Sequence, residues 1–277
     1  MKSIFSTLIC SVAVLSSTAA VVELTIPDIN TSWATVTAGT VINAGDTLRI
    51  KSATALTGYS FGNWTSPRLA GLEFVGGNPM NLGEGTFLLD ENATINVSES
   101  GTRVVLRSLK LNPGECLNLE KTGSSILQFM GPQTCELKLT ISEGAVYVHQ
   151  DAALGVVPTT LVPDAITLNG GTLCNGMGNT SLGTVVLAAT RGIRIASGKT
   201  GWITVIPTEV PGQMFSDFIV NGPISGEGEM IREHKISQKK INYCREDYRQ
   251  MLTPLVHDEN MIEELADRNL MQMDEFL

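Results

Sequence analysis

A short glycine-containing corner recurs along the first 230 residues, and it constrains the fold more than any other feature of the sequence. The corner reads Asn/Ser-x-Gly, then a small or acidic residue, then a strand-like run, and it occurs at residues 43–48, 112–117, 142–146 and 169–173. Glycine supplies the positive φ of such a bend, and Asn or Ser can hydrogen-bond its own backbone there. Recurrent turn chemistry is typical of chains built from stacked coils, because one coil cannot close a core alone.

Between the corners lie short runs in which apolar and polar residues alternate. Examples are residues 47–50, 94–97, 103–106, 136–141, 165–168 and 192–195. Alternation with a period of two places the apolar side chains on one face of a β-strand. A β-sandwich is the alternative all-β fold, but it does not account for the repeated corner. The irregular intervals fit a coil that tolerates insertions, so the sequence predicts a β-solenoid over residues 21–230.

The first 20 residues have the pattern of an export signal. Lys2 supplies a positive charge, residues 4–15 are mostly apolar, and residues 17–20 are small. A buried N-terminal strand or helix is the alternative. Further along, no segment approaches the roughly 20 apolar residues that a membrane span requires. We therefore expect a signal peptide over 1–20 and a product that is secreted or held at the cell surface.

The chain changes character near its C-terminus. No glycine occurs from Glu229 to Leu277, and residues 232–277 hold 7 Lys+Arg and 10 Asp+Glu. Apolar residues there recur at steps of three and four, which predicts two amphipathic helices, the first ending before Pro254. The sequence predicts a helical tail over 231–277, which is a cap for the solenoid, a docking element or a remnant; the pattern does not choose among these.

Two of the cysteines are candidates for a disulfide. Cys116 and Cys135 are 19 residues apart, about one coil, so they are placed to stack on adjacent rungs and to bridge in an oxidising compartment. The alternative is that both are small buried apolar side chains.

Charge and residue spacing exclude several classes of partner. The formal net charge of −9 offers no basic surface for nucleic acid. His149, His234 and His257 lack zinc-ligand spacing. Asp46, Asp90 and Asp151 fall near turns, but no calcium-binding nonapeptide repeat accompanies them. We expect no nucleic-acid partner, no metal and no other cofactor.

Catalytic signals are weak. Glycoside hydrolysis uses two carboxylates across a cleft, and the candidate pairs Asp90–Glu91 and Glu227–Glu229 are near neighbours in turn-like sequence. His149 is more consistent with the end of a strand than with a general base, and no nucleophile elbow is present. The R-I-K string at 49–51 is interpreted as ordinary strand with outward charges.

The three tryptophans are candidates for stacking on sugars. Isolated aromatic residues in an apolar pattern are more often core or cap residues, and we expect that of Trp33, Trp64 and Trp202.

Residues 119–230 contain an ordered series of motifs: L-E-K-T-G-S-S-I-L from Leu119, T-I-S-E-G-A-V-Y-V from Thr140, A-L-G-V-V-P from Ala153, I-T-L-N-G-G-T-L from Ile166, R-G-I from Arg191 and N-G-P-I-S-G-E-G from Asn221. The series resembles the autotransporter-associated β-strand repeat of bacterial surface proteins, with Ser125 where that repeat usually has glycine. The resemblance implies a right-handed parallel β-helix, exported to the cell surface or beyond, and it carries no catalytic residues. The sequence departs from the family in two respects. No further K-T-G motif follows the closing N-G-P-I-S-G-E-G motif, and residues 231–277 lack the alternating strands of a translocating barrel.

The sequence as a whole predicts an all-β, right-handed parallel β-helix with a short α-helical C-terminal tail. We expect a non-enzymatic surface scaffold, stalk or adhesin whose partners are cell-surface glycans or proteins. The alternative is a carbohydrate-active β-helix that binds or cleaves polysaccharide, which predicts a groove with carboxylates and aromatic side chains from several coils.

Overall fold

The computed structural model describes residues 19–99, 102–176, 184–205 and 217–233. In chain order the strands are β1 (Val21–Ile26), β2 (Thr47–Ser52), β3 (Leu56–Tyr59), β4 (Thr65–Val75), β5 (Met80–Leu82), β6 (Thr86–Val97), β7 (Arg103–Leu106), β8 (Lys110–Leu111), β9 (Cys116–Thr122), β10 (Ile126–Phe129), β11 (Glu136–Ile141), β12 (Ala145–Val148), β13 (Val162–Leu168), β14 (Thr172–Asn175), β15 (Val185–Leu187), β16 (Arg191–Ile195), β17 (Thr200–Val205), β18 (Phe218–Val220), β19 (Ile224–Gly226) and β20 (Glu229–Glu233). A short helix, α1 (Trp33–Val36), and a 3-10 turn (Asp151–Leu154) complete the described elements.

The strands form three parallel sheets. Sheet A has the order β1-β2-β4-β6-β9-β11-β13-β16-β19, with β8 also paired to β6; sheet B has the order β3-β5-β7-β10-β12-β14-β17-β20; sheet C contains β15 and β18. Successive strands of the chain pass from one sheet to the next and return one position further along, which makes a coil of about seven turns. The predicted β-solenoid is confirmed. The sandwich alternative is excluded for these strands, since its sheets are antiparallel.

Like residues stack on like residues inside the coil. One inward column of sheet A runs through Leu48, Leu72, Ile95, Lys121, Ile141, Leu168 and Ile195. Every member is buried. Each apolar member covers the next at the strand spacing of about 4.8 Å, so the core is a continuous column that no single coil completes. The alternation seen in the sequence is what places these residues inward.

The recurrent corner is present, but it occupies two different places in the coil. The corners at Gly45 and Gly114 lead into sheet A, whereas those at Gly144 and Gly170 turn from sheet A into sheet B. This division is the physical reason for the irregular intervals. All four glycines have positive φ, and in the last corner it is the middle residue, Gly170, and not the third residue, Gly171, that adopts it. At Gly144 a Cβ atom would also lie 2.5 Å from the carbonyl oxygen of Ser125, so no other residue fits that bend.

An aromatic cluster fills the N-terminal end of the solenoid. Trp33, on α1, packs edge-on against Phe61 and Trp64, with ring centroids 4.7 and 5.2 Å apart. Trp33 is buried and Trp64 is partly buried against the core, as expected. Trp202 departs from the expectation, because it takes an outward, half-buried position on β17.

The two predicted ends lie largely outside the described residues. Residues 1–18 of the expected signal peptide and residues 234–277 of the expected helical tail are not among them. The last strand, β20, runs to Glu233, past the boundary of 230 that the sequence suggested, because residues 229–233 pair in register with residues 200–204 of β17.

Lys121 is the one charged member of the inward column. Its side chain is fully buried, and its Nζ donates to the carbonyl oxygens of Thr122 at 2.7 Å, Gly123 at 2.6 Å and Glu143 at 3.2 Å. The Glu143 carboxylate in turn accepts the Gly123 N–H at 2.8 Å. The ammonium group therefore ties the end of β9 to the next corner. Burial lowers the pKa of Lys121 to about 8, opposed by the nearby Glu143.

Lys121 should make the fold more stable as the pH rises through the alkaline range. Between the folded-state pKa of about 8 and the ordinary value of 10.5, the unfolded chain binds more protons than the folded chain, so the free energy of unfolding increases with pH, by at most about 1.4 kcal/mol per pH unit. Urea unfolding of the wild type and of Lys121→Met, compared from pH 7.5 to 10, measures this difference. Exposed Lys138, replaced by Met, is the matched control. The difference in the free energy of unfolding, wild type minus Lys121→Met, should grow with pH. A difference that stays constant or decreases as the pH rises contradicts a lowered pKa for Lys121.

Candidate functional site

The outer face of sheet A carries a shallow polar groove of about 490 Å³. It crosses four neighbouring strands, β6, β9, β11 and β13, and therefore runs along the solenoid axis. Its lining consists of Asn92, Ala93, Thr94, Asn118, Leu119, Glu120, Lys138, Thr140, Asp164 and Thr167. Most of these carry amide, hydroxyl or charged groups.

Strand alternation places the polar lining outward. In β9, Leu117 and Leu119 are buried, whereas Asn118 and Glu120, which alternate with them, are half-exposed on the outer face. The register then aligns outward residues of successive coils: Thr94 pairs with Glu120, and Glu120 with Thr140. A second row begins with Asn92 opposite Asn118 and Asn118 opposite Lys138. The groove is thus two adjacent rows of a polar ladder.

The groove side chains bond mainly along the ladder. Asn118 Nδ2 donates to Asn92 Oδ1 at 2.9 Å. Lys138 Nζ lies 3.1 and 3.2 Å from the two carboxylate oxygens of Asp164. Exposed ion pairs of this kind contribute little to stability. Two carboxylates and one ammonium give the groove a negative balance.

The carboxylate pairs considered from the sequence do not line this groove. Asp90 and Glu91 lie within β6 and not in a turn, where the register with β4 jumps from Leu89 to Thr94 and leaves a bulge. Glu227 lies in the turn before β20 and accepts from Ser197 at 3.1 Å, and Glu229 accepts from Thr200 at 3.2 Å. The carboxylates that share the groove, Glu120 and Asp164, come from different coils and are not neighbours in the sequence.

His149 follows the last residue of β12, as expected, and it belongs to a network on the outer face of sheet B. Arg103 Nε donates to Gln128 Oε1 at 3.0 Å, and the Gln128 amide nitrogen faces His149 Nε2. Arg103 also lies 5.7 Å from the centre of the Tyr147 ring. Arginine can only donate, so the amide must donate to Nε2, which leaves the imidazole proton on Nδ1. Burial, with a contribution from Arg103 and Arg107, lowers the pKa of His149.

Two of the three aspartates considered for calcium have structural partners. Asp46 accepts the backbone N–H groups of Asn43 at 2.8 Å and Ala20 at 3.0 Å, which lowers its pKa. Asp151 accepts from the buried Arg191 at 2.8 Å. Within the described ranges, no group of three or more His, Cys, Asp and Glu side chains is arranged to hold a metal ion.

Cys116 and Cys135 are both free, the first exposed and the second buried. The rung partner of Cys116 is Glu136 and not Cys135, so the coil at this point is one residue longer than the spacing of the two cysteines. The Cys116 thiol donates to Glu136 Oε2 at 3.3 Å, which raises its pKa, and burial raises the pKa of Cys135 to about 11. The disulfide stays a prediction, but the stacked register of the two cysteines on which it was based is not present.

Arg191 is a structural residue that sequence reasoning did not single out. It is buried, and besides Asp151 it donates to the carbonyl oxygen of Leu154 at 3.0 Å and to those of Gly155 and Val156 at 3.4 Å. The arginine of the R-G-I motif thus holds the A-L-G-V motif of the preceding coil. In the sequence, the only sign of this contact was that the R-G-I motif follows the A-L-G-V motif along the chain.

The 49–51 string is ordinary strand, as expected: Arg49 in β2 pairs outward with Glu73 at 2.6 Å and Glu23 at 3.5 Å.

Comparisons of the chain with protein-family models, with curated proteins and with solved structures find no match. The fold is therefore established by its own geometry as a β-solenoid. Among the residues that the structure describes, no helix is both long and apolar enough to cross a membrane.

Acid should weaken the network around His149. Its folded-state pKa lies below the ordinary value of 6.5, so as the pH falls from there the unfolded chain takes up this proton first and stability is lost. Protonated Nε2 would also face the Gln128 amide donor beside Arg103. Unfolding midpoints from pH 7.5 to 5 should fall more steeply for the wild type than for His149→Gln, whose amide oxygen accepts at the same place without titrating. Parallel curves for the two proteins would refute this assignment.

Proposed function

We propose that this chain is an exported, non-enzymatic β-solenoid that acts as a surface scaffold or adhesin. The observation that carries the proposal is the outer face of sheet A, where polar side chains of successive coils form a continuous ladder above a dry core. A rigid column with an extended polar face suits attachment along its length, whereas an enzyme needs groups that converge on one reacting bond.

The finer family assignment is part of this proposal. Contacts of the motif residues support it: Lys121 of the K-T-G motif bonds the following corner, and Arg191 of R-G-I holds the A-L-G-V segment. These contacts give the motif order a physical reason, as expected of an autotransporter-associated repeat. Export through residues 1–20 and attachment through cell-surface glycans or proteins belong to the same proposal.

A carbohydrate-cleaving β-helix is the second candidate, and one observation favours it. Glu120 on β9 and Asp164 on β13 line the same groove, on strands about 10 Å apart. They lie in neighbouring rows of the ladder, so this strand spacing alone already reaches the upper end of the carboxylate separation used by inverting glycosidases, about 6.5–9.5 Å. Against it, Asp164 is paired with Lys138, and none of the residues lining the groove is aromatic.

Expression of the whole chain in a bacterial host tests the leading function. We expect the protein outside the cytoplasm, attachment of protein-coated beads to polysaccharide- or protein-coated surfaces, and no product from a panel of plant, algal and host polysaccharides. If the protein is not an enzyme, Glu120 is not a catalytic group. The Glu120→Gln variant should then release no products from the polysaccharides, as the wild type does. Release of sugars or unsaturated products by the wild type, lost in Glu120→Gln, would establish the enzyme instead.

A further inference from the structure

We propose that the groove on sheet A binds a neutral, extended glycan laid along the solenoid axis. This deepens the adhesive function proposed above and rests on it, because it names the class of partner and the residues that contact it.

The direction of the groove favours an extended polymer. Its lining residues come from β6, β9, β11 and β13, and three strand spacings give a length of roughly 14 Å. Each row carries a polar side chain at every strand spacing, and this spacing is close to the length of one pyranose unit in an extended chain. Successive sugars of a linear glycan would therefore each meet a polar side chain of a successive coil.

The chemistry of the lining matches sugar hydroxyl groups. Asn92 and Asn118 carry amides that both donate and accept, and Thr94, Thr140 and Thr167 carry hydroxyls with the same capacity. A sugar hydroxyl also donates and accepts, so it can join the amide ladder without leaving either partner unpaired. The backbone under these side chains is a continuous parallel sheet, which fixes their positions before any ligand arrives.

The charge of the groove selects against acidic glycans. Glu120 and Asp164 outnumber Lys138, and the ammonium group of Lys138 is already paired with Asp164 at 3.1 Å. A polyuronate or sulfated chain would bring further negative charge beside Glu120. The one cation among the lining residues is the paired Lys138, and exposed Arg194, in register with Thr167 on β16, lies beyond the far end of the groove. A neutral glycan avoids that repulsion.

The absence of aromatic side chains from the lining limits the strength of each contact. Binding through hydrogen bonds alone should be weak, with dissociation constants around 1 mM. An adhesin displayed in many copies converts such weak sites into firm attachment.

Calorimetric titration of the folded protein tests the proposal. The probes are short linear oligosaccharides of glucose, mannose and galactose, and of galacturonate as the acidic counterpart. We expect at least one neutral series to bind and galacturonate not to bind. Asn118→Ala should weaken neutral binding by up to about tenfold. Asn81→Ala, on β5 of sheet B, is the matched control and should bind as the wild type does.

The charge argument has its own variant. Glu120→Gln combined with Asp164→Asn leaves Lys138 as the only charge in the groove, and this double variant should gain measurable binding of galacturonate. Glu23→Gln, on the same face but on β1, removes a carboxylate outside the groove and should not gain it. Thermal unfolding of every variant confirms that the fold is kept.

Each outcome decides a separate point. Wild-type preference for galacturonate, or absence of binding to every probe, overturns the inference; the bead attachment described above then decides separately whether the adhesive function survives. Neutral binding that Asn118→Ala leaves unchanged places the site elsewhere and also overturns it. Cleavage of a neutral probe, weakened by Asn118→Ala, would overturn the proposed non-enzymatic function while leaving the groove as the place of binding.

Discussion

Each coil of this protein exposes an apolar face that only the next coil can cover, and the rest of the structure depends on that constraint. The inward columns exist because corresponding positions of successive strands carry similar side chains, and the parallel ladders hold those positions in register. Lys121 is the exception inside a column. Its ammonium group is accepted there only because three backbone carbonyl oxygens surround it, so a charged residue doubles as a clamp on the corner.

The same constraint determines what faces outward. If inward positions stack, outward positions stack as well, and any outward polar residue becomes part of a row. On sheet A these rows produce a groove of amides, hydroxyls and charges over four strands. On sheet B they produce the Arg103, Gln128 and His149 network, in which side chains from successive coils contact one another. Both surfaces follow from the repeat itself, and neither requires a loop to deliver distant residues to one point.

Local pattern was sufficient to predict the fold class but not the register. Alternation correctly placed Leu137, Leu139 and Ile141 inside, and the glycine corners correctly marked bends. Coil length varies, however: Asn118 stacks 26 residues after Asn92, whereas Glu136 stacks 20 residues after Cys116. A difference of a single residue turns a side chain to the opposite face, which is why a spacing of 19 residues does not stack Cys135 on Cys116. The groove could not be found for the same reason, since its residues are neighbours only after the register is known.

Native-state hydrogen exchange on Leu139→Ala tests the stacked-coil account most directly. Leu139 is buried in β11 between Leu119 of β9 and Ile166 of β13, and its truncation should cost about 2–5 kcal/mol. Because each coil contacts only its neighbours, amide protection should fall most in β9, β11 and β13 and recover toward β1 and β19. The account would be contradicted if amide protection fell more in strands distant from β11, such as β1 and β19, while β9 and β13 stayed protected.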